Sequence, residues 1–248
     1  MFDPNTLNDI THGSDIDTID RTKLKNLQRA LSWMTYPISA VDGLIGPNTR
    51  NAFAEYKLDI GETDATRVTN SCKNQAIQRI EETKSLLRAD VSTQDNTKKA
   101  IAAVCQNLGI GTKPQIAYVL ATVQWETAHT FRPVKEAFNK SEDWRKRNLR
   151  YYPYYGRGYV QLTWKRNYSK YFHIMREPLV RQPDQALDPE ISLMVLVHGF
   201  KLGVFTGRKL TDYINDFETD FKNARRCING LDRWREIKSL AEGYLAEL

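Results

Sequence analysis

Apolar positions recur at helical spacing along most of this chain. Leu24, Leu27, Leu31 and Met34, with Gln28 among them, share one helix face. Asp42-Gly43 and Gly46-Pro47 then punctuate a tight loop, and Pro47 opens a second helix that turns Ala52, Phe53 and Tyr56 inward. Ala76, Ile77, Ile80, Leu86 and Leu87 stand among charges between positions 72 and 87, the pattern of an amphipathic helix. Ser92 or Thr93 caps a helix expected over 97–107, which Gly109 and Gly111 stop. Ile116, Val119, Leu120 and Val123 predict the next helix over about 113–127, with Thr112 as N-cap and Pro114 in its first turn. Residues 191–200 are apolar nearly all round, so this helix belongs in a core. Residues 205–213 supply a glycine-containing turn and a further helix start.

Other stretches lack helical period. Residues 1–22, polar and with five Asp by position 20, read as an irregular lead-in, and 59–70 as a turn-prone exit. After Gly156 and Gly158, alternation predicts a short strand with Val160, Leu162 and Trp164 toward the core. Tyr159, Gln161 and Thr163 would then offer hydroxyls and an amide to a cleft. The blander reading is an edge strand with a polar outer face.

A length of 248 residues with 41% hydrophobic content suffices for a large core, and the charge distribution suggests two domains. Residues 1–70 hold 7 of the 36 Lys/Arg and 10 of the 30 Asp/Glu, a net of −3, whereas the remainder, with 29 and 20, carries +9. A basic C-terminal part fits a polyanionic partner such as nucleic acid, an anionic membrane surface or an acidic glycan, or simply a solubilising excess. Cys72, Cys105 and Cys227 are scattered and odd in number, which argues against a disulfide framework and for a reducing compartment. No basic or apolar leader opens the sequence and no run of 18 apolar residues occurs, so neither an export signal nor a membrane span is expected. His12, His129, His173 and His198 show no paired metal-ligand spacing, and no phosphate-binding loop or dinucleotide glycine pattern appears. No metal and no cofactor are expected.

The candidate chemistry lies in two carboxylates. Glu126 falls three positions after Val123 and seven after Val119, on the apolar face, where a carboxyl is desolvated and its pKa rises. The alternative is a glutamate that reaches water or pairs with an arginine. A continuous helix would set Glu136 about 15 Å further along and about 280° around, too distant for joint work. The stretch from His129 to Pro133 should break the helix and let the chain fold back. Downstream, Trp144, Arg145, Lys146, Arg147, Arg150, Tyr151, Tyr152, Tyr154 and Tyr155 form an aromatic, basic stretch suited to sugar rings and to bases alike.

Two resemblances sharpen this picture. Leu27-Gln-Arg-Ala-Leu followed by Val41-Asp-Gly-Leu-Ile-Gly-Pro-Asn-Thr-Arg-Asn-Ala-Phe53 resembles the small three-helix peptidoglycan-binding domain attached to many cell-wall hydrolases. Tyr155-Gly-Arg-Gly-Tyr-Val-Gln-Leu-Thr-Trp164, with Asn167-Tyr168 following, resembles the signature of glycoside hydrolase family 19, a chitinase-like group that includes phage endolysins with lysozyme-like folds. The second likeness extends over about 97–240 and takes in Gln124-Trp-Glu-Thr-Ala-His129, although many relatives carry His where this chain has Gln124.

On that resemblance the chain is mainly α: a peptidoglycan-binding domain over 1–70, a linker helix over 71–92 and a lysozyme-like catalytic domain with a short strand region over 93–248. The resemblance implies Glu126 as general acid and Glu136 as general base, with Tyr155, Arg157, Gln161, Thr163, Asn167, Tyr168 and Asn229 at substrate-binding positions. It further implies an inverting muramidase-type endolysin, monomeric, acting on bacterial peptidoglycan and not on nucleic acid, without stable membrane insertion. Such an enzyme waits in the host cytoplasm and reaches the wall once the membrane is permeabilised. A chitinase, a lytic transglycosylase and a non-catalytic wall-binding virion protein are the alternatives.

Overall fold

The computed structural model describes residues 1–248 and is mainly helical, with four strands of two residues each. It divides into two compact units, one of residues 1–84 and 170–177, the other of residues 85–169 and 178–248.

The first unit holds α1 (Arg21–Trp33), α2 (Pro47–Asp59) and most of α3 (Asn70–Leu87). Asp20 caps α1 by accepting from the backbone N–H groups of Thr22 and Lys23, donors that have no partner inside the helix. The lead-in expected to be irregular is structured. Pro4–Asp9 forms a 3-10 helix against α1, and β1 (Ser14–Asp15) pairs antiparallel with β2 (Arg67–Val68). Phe2, Leu7, Ile10 and Ile16 are buried there, and their aperiodic spacing is what a single 3-10 turn and a two-residue strand produce.

Gln28 organises the loop between α1 and α2. Its Oε1 accepts from the N–H groups of Asp42 and Gly43, while Nε2 donates to Leu44 O at 3.0 Å and to Thr49 Oγ1. Gly43 sits at φ +72°, and a Cβ there would lie 2.4 Å from Arg21 O, so only glycine fits. Residues 170–177, distant in sequence, belong to this unit: Trp33 Nε1 donates to Ile174 O and Arg29 Nε to His173 O.

The second unit is built on α4 (Gln94–Asn107), α5 (Lys113–Glu126), α8 (Pro189–Leu202) and α10 (Trp234–Glu247), with shorter α6 (Glu142–Asn148), the start of α7 (Lys165–Met175) and α9 (Phe221–Ala224). Thr93 is the N-cap of α4, accepting from Asn96 N at 3.1 Å. α5 begins after Thr112, whose N–H donates to Gln115 Oε1, and every residue of α5 from Gln115 to Val123 is buried. α10 packs along α5, and α8 packs on α4. Each fully buried Val, Leu or Phe side chain on these faces stabilises the unit by about 1.5–3 kcal/mol. α5 is thus a fixed rod with Glu126 at its end.

β3 (Val134–Lys135) and β4 (Arg157–Gly158) form an antiparallel pair. The strand expected beyond Gly158 does not form. Tyr159 to Gln161 make a turn, and Leu162 pairs back onto Arg157 through Leu162 N→Arg157 O at 2.8 Å. Alternation therefore fails: Tyr159 and Val160 are both buried, whereas Trp164, expected in the core, is 42% exposed. Gln161 and Trp164 take positive φ, of +54° and +73°, which a regular strand excludes. No helix is long and apolar enough to cross a membrane.

Candidate active site

α5 ends where Thr127 Oγ1 accepts from Phe131 N and donates to Val123 O, closing the helix in a tight turn. Ala128, His129 and Phe131 all have positive φ, and buried Phe131 fastens the loop before β3. Gln124 supports the same turn: Nε2 meets His129 Nδ1 at 2.8 Å and Oε1 accepts from Tyr244 of α10 at 2.6 Å. The chain then doubles back through β3, and Glu136 N donates to Gly156 O at 2.7 Å.

Two carboxylates ten positions apart thereby line one cavity of about 430 Å³, together with Arg150, Tyr151, Gln161, Thr163, Trp164, Asn167 and Asn229. Glu126 is not surrounded by apolar side chains as expected. Its Oε1 accepts from Arg225 Nη1 at 2.8 Å, with the two side chains 15% and 4% exposed. Arg225 is fixed in turn by Nε donating to Asp232 O. A pairing between residues 99 positions apart leaves no trace in local periodicity, and Arg225 is the main site residue that sequence reasoning missed.

Glu136 is held at both oxygens. Oε1 accepts from the Tyr151 hydroxyl at 2.8 Å and Oε2 from Gly156 N at 2.9 Å. Burial, reinforced by the hydrogen bond to Glu136, pushes the Tyr151 pKa up to about 12, so its proton stays in place as a donor. Arg145, read from sequence as part of a basic surface stretch, is buried and clamps the backbone here through Nε to Glu136 O and Nη2 to Ala137 O.

The remaining sequence-predicted residues fall into two groups. Gln161, Thr163, Asn167 and Asn229 line the cavity beside the carboxylates. The first three also hold one another in place: Thr163 Oγ1 donates to Gln161 O, and Asn167 Nδ2 to Thr163 O. Tyr155, Arg157 and Tyr168 stand outside the lining and are buried. Arg157 lies 3.7 Å over the Tyr155 ring, donates to Tyr168 Oη and bonds Asp184 at 2.7 Å, while Tyr168 Oη donates to Tyr155 O. Lys135 bonds the same Asp184, which thus ties β3 to β4. Burial would raise the Asp184 carboxyl, but hydrogen bonds from Lys135 and Arg157 hold it below its ordinary value.

Of the nine non-glycine residues at positive φ, six lie between 128 and 164: Ala128, His129, Phe131, Ala137, Gln161 and Trp164. Each costs about 1–3 kcal/mol, strain that persists only where the surroundings fix it and that concentrates at working sites. No group of three or more His, Cys, Asp or Glu side chains is placed to hold a metal ion, and the three cysteines are free and buried. Compared with known protein families, with curated proteins and with solved structures, the chain matches none, so the reading of its chemistry rests on its own residues.

Proposed function

We propose that the chain is a glycoside hydrolase that cuts β-1,4 bonds of bacterial peptidoglycan by an inverting acid/base mechanism. The observation that carries this reading is the pair of differently held glutamates, Glu126 and Glu136, lining one cavity rich in amide and hydroxyl groups. Arg225 pairs with Glu126 Oε1 in the resting protein and leaves Oε2 as the oxygen that takes a proton from solvent and passes it to the leaving glycosidic oxygen. Glu136, fixed by Tyr151 and Gly156, accepts a proton from a water that attacks from the opposite face of the sugar. Gln161, Thr163, Asn167 and Asn229 supply hydrogen bonds to ring substituents. Exposed Trp164 offers an apolar face for a sugar ring.

A second carboxylate held by two donors favours hydrolysis over anhydro-sugar formation, which needs only the acid. The resemblance of residues 20–58 to a peptidoglycan-binding domain favours a wall substrate over chitin, and an endolysin that reaches the wall after membrane permeabilisation. The test is Glu126→Gln, which preserves shape but cannot deliver the proton. Clearing of cell-wall suspensions should fall by roughly 10² or more in a protein that still folds, although it melts lower because Arg225 loses its counter-charge. Clearing at near wild-type rate removes Glu126 from the reaction.

A further inference from the structure

The charges that line the cavity do not balance one another. Three guanidinium groups, Arg150, Arg166 and Arg225, face two carboxylates. Arg225 is taken by Glu126. Glu136 receives its hydrogen bonds from a phenol and a backbone N–H, both neutral, so it offsets neither remaining arginine by direct contact. Arg150 lies 5.1 Å from the centroid of the Trp164 ring, which also makes an edge-to-face contact with Tyr151, and has no carboxylate partner. Arg166, in the first turn of α7, has no hydrogen-bond or ion-pair partner at all. Three cations of this unit that stand outside the lining are matched by contrast: Arg145 by Glu142 and two carbonyls, Arg157 and Lys135 by Asp184.

We propose that Arg150 and Arg166 are specificity-determining residues that bind carboxylates carried on the side arms of the glycan, those of the peptide stem or, where the stem is absent, that of the lactyl ether. This inference rests on the glycosidase reading and extends it, because a neutral poly-N-acetylhexosamine offers two guanidinium groups hydrogen-bond acceptors but no opposite charge. The Trp164 ring sets the spacing: a sugar stacked on it would carry its side arm along the wall where Arg150 is held by cation–π contact. A guanidinium presents paired N–H donors that match a carboxylate, and both side chains are open to water, so each contact is a solvent-exposed pair that shifts affinity up to about fivefold.

The experiment compares two ligands that differ at their carboxyl groups, charged in one and neutral in the other. Soluble peptidoglycan fragments with free carboxyl groups, and the same fragments after methylamidation, are titrated by calorimetry into the Glu126→Gln protein, which holds them without turnover. The expected result is about tenfold tighter binding of the free-carboxyl form, a ratio that shrinks in high salt. Arg150→Gln/Arg166→Gln should bring that ratio to about one, and Arg150→Lys/Arg166→Lys should keep most of it, since both side chains are exposed and the fold does not depend on them. An unchanged ratio in the Gln pair, or no ratio in the parent, overturns the assignment. If wild-type protein cleaves the fragments but shows no preference, the arginine assignment fails and the hydrolase reading survives. A charge preference lost in the Gln pair, without any cleavage by the wild type, upholds the arginines and removes the hydrolase reading.

Discussion

Replacing Arg225 by Met tests whether the buried ion pair at the end of α5 is the contact that sets Glu126 in place. The substitution keeps the bulk of the side chain and removes its donors. Removing one partner of a buried pair typically costs about 3–5 kcal/mol, because the other charge is left uncompensated. Glu126 is 15% exposed and borders the cavity, so water reaches its free oxygen and the low end, about 3 kcal/mol, applies. The lost bond from Nε to Asp232 O adds about 1 kcal/mol. Together these lower the melting temperature of a unit of this size by roughly 8–16 °C. Arg225→Met in the Glu126→Gln background separates the two contributions, since a neutral glutamine in place of Glu126 is not stranded as a buried charge. The coupling between the two positions, followed by thermal unfolding of all four proteins, should be about 2–3 kcal/mol. A coupling below about 0.5 kcal/mol would refute the argument that these side chains act as a pair.

Three further outcomes follow from geometry elsewhere. Gly158→Ala meets both a positive φ of +86° and a Cβ position 2.6 Å from Ser192 Oγ and 2.9 Å from Ala186 O, and should cost about 3 kcal/mol in a urea melt. Gly207→Ala, at φ +85° with nothing within 4 Å, should cost only about 1 kcal/mol, and equal costs would contradict the packing argument. Burial pushes Tyr36, Tyr151, Tyr159, Tyr168 and Tyr244 up to about 12, against about 10 in the unfolded chain, so their stabilisation is complete below pH 10 and is lost as pH rises toward 12. The tyrosinate absorbance of these five should then appear together with loss of helical circular dichroism, and each Tyr→Phe variant should remove part of that late absorbance; its loss from absorbance that precedes unfolding would contradict the argument. A chain beginning at Thr93 lacks the residues that cover Tyr171, Ile174 and Met175, and should melt below the full-length protein; an unchanged melt of the shortened chain would show that residues 170–177 need no such cover.

Elements with local signals were legible in the sequence. Pro47, Thr93 and Thr112 marked helix starts because capping is a matter of the next three residues, and the all-round apolar run at 191–200 could only be a core helix. Glu126 and Glu136 could be named because a helix break at 129–133 is local too, and the structure brings both to one cavity. What escaped depends on distant partners. Arg225 reaches Glu126 across the whole second unit, Arg145 is buried because the backbone of Glu136 returns beside it, and residues 170–177 join the first unit through Trp33. The turn at Tyr159–Gln161 escaped for another reason: glutamine at φ +54° follows no propensity rule, and alternation alone read the segment as a strand.

The central claim is that Glu126 donates a proton while Glu136 directs water to the opposite face of the sugar. Proton NMR of the first product formed from soluble peptidoglycan oligomers tests it most directly, because the anomeric configuration is recorded before mutarotation mixes it. The account predicts that the new reducing end appears first as the α anomer. A β anomer appearing first, an anhydro sugar, or no cleavage at all would contradict it.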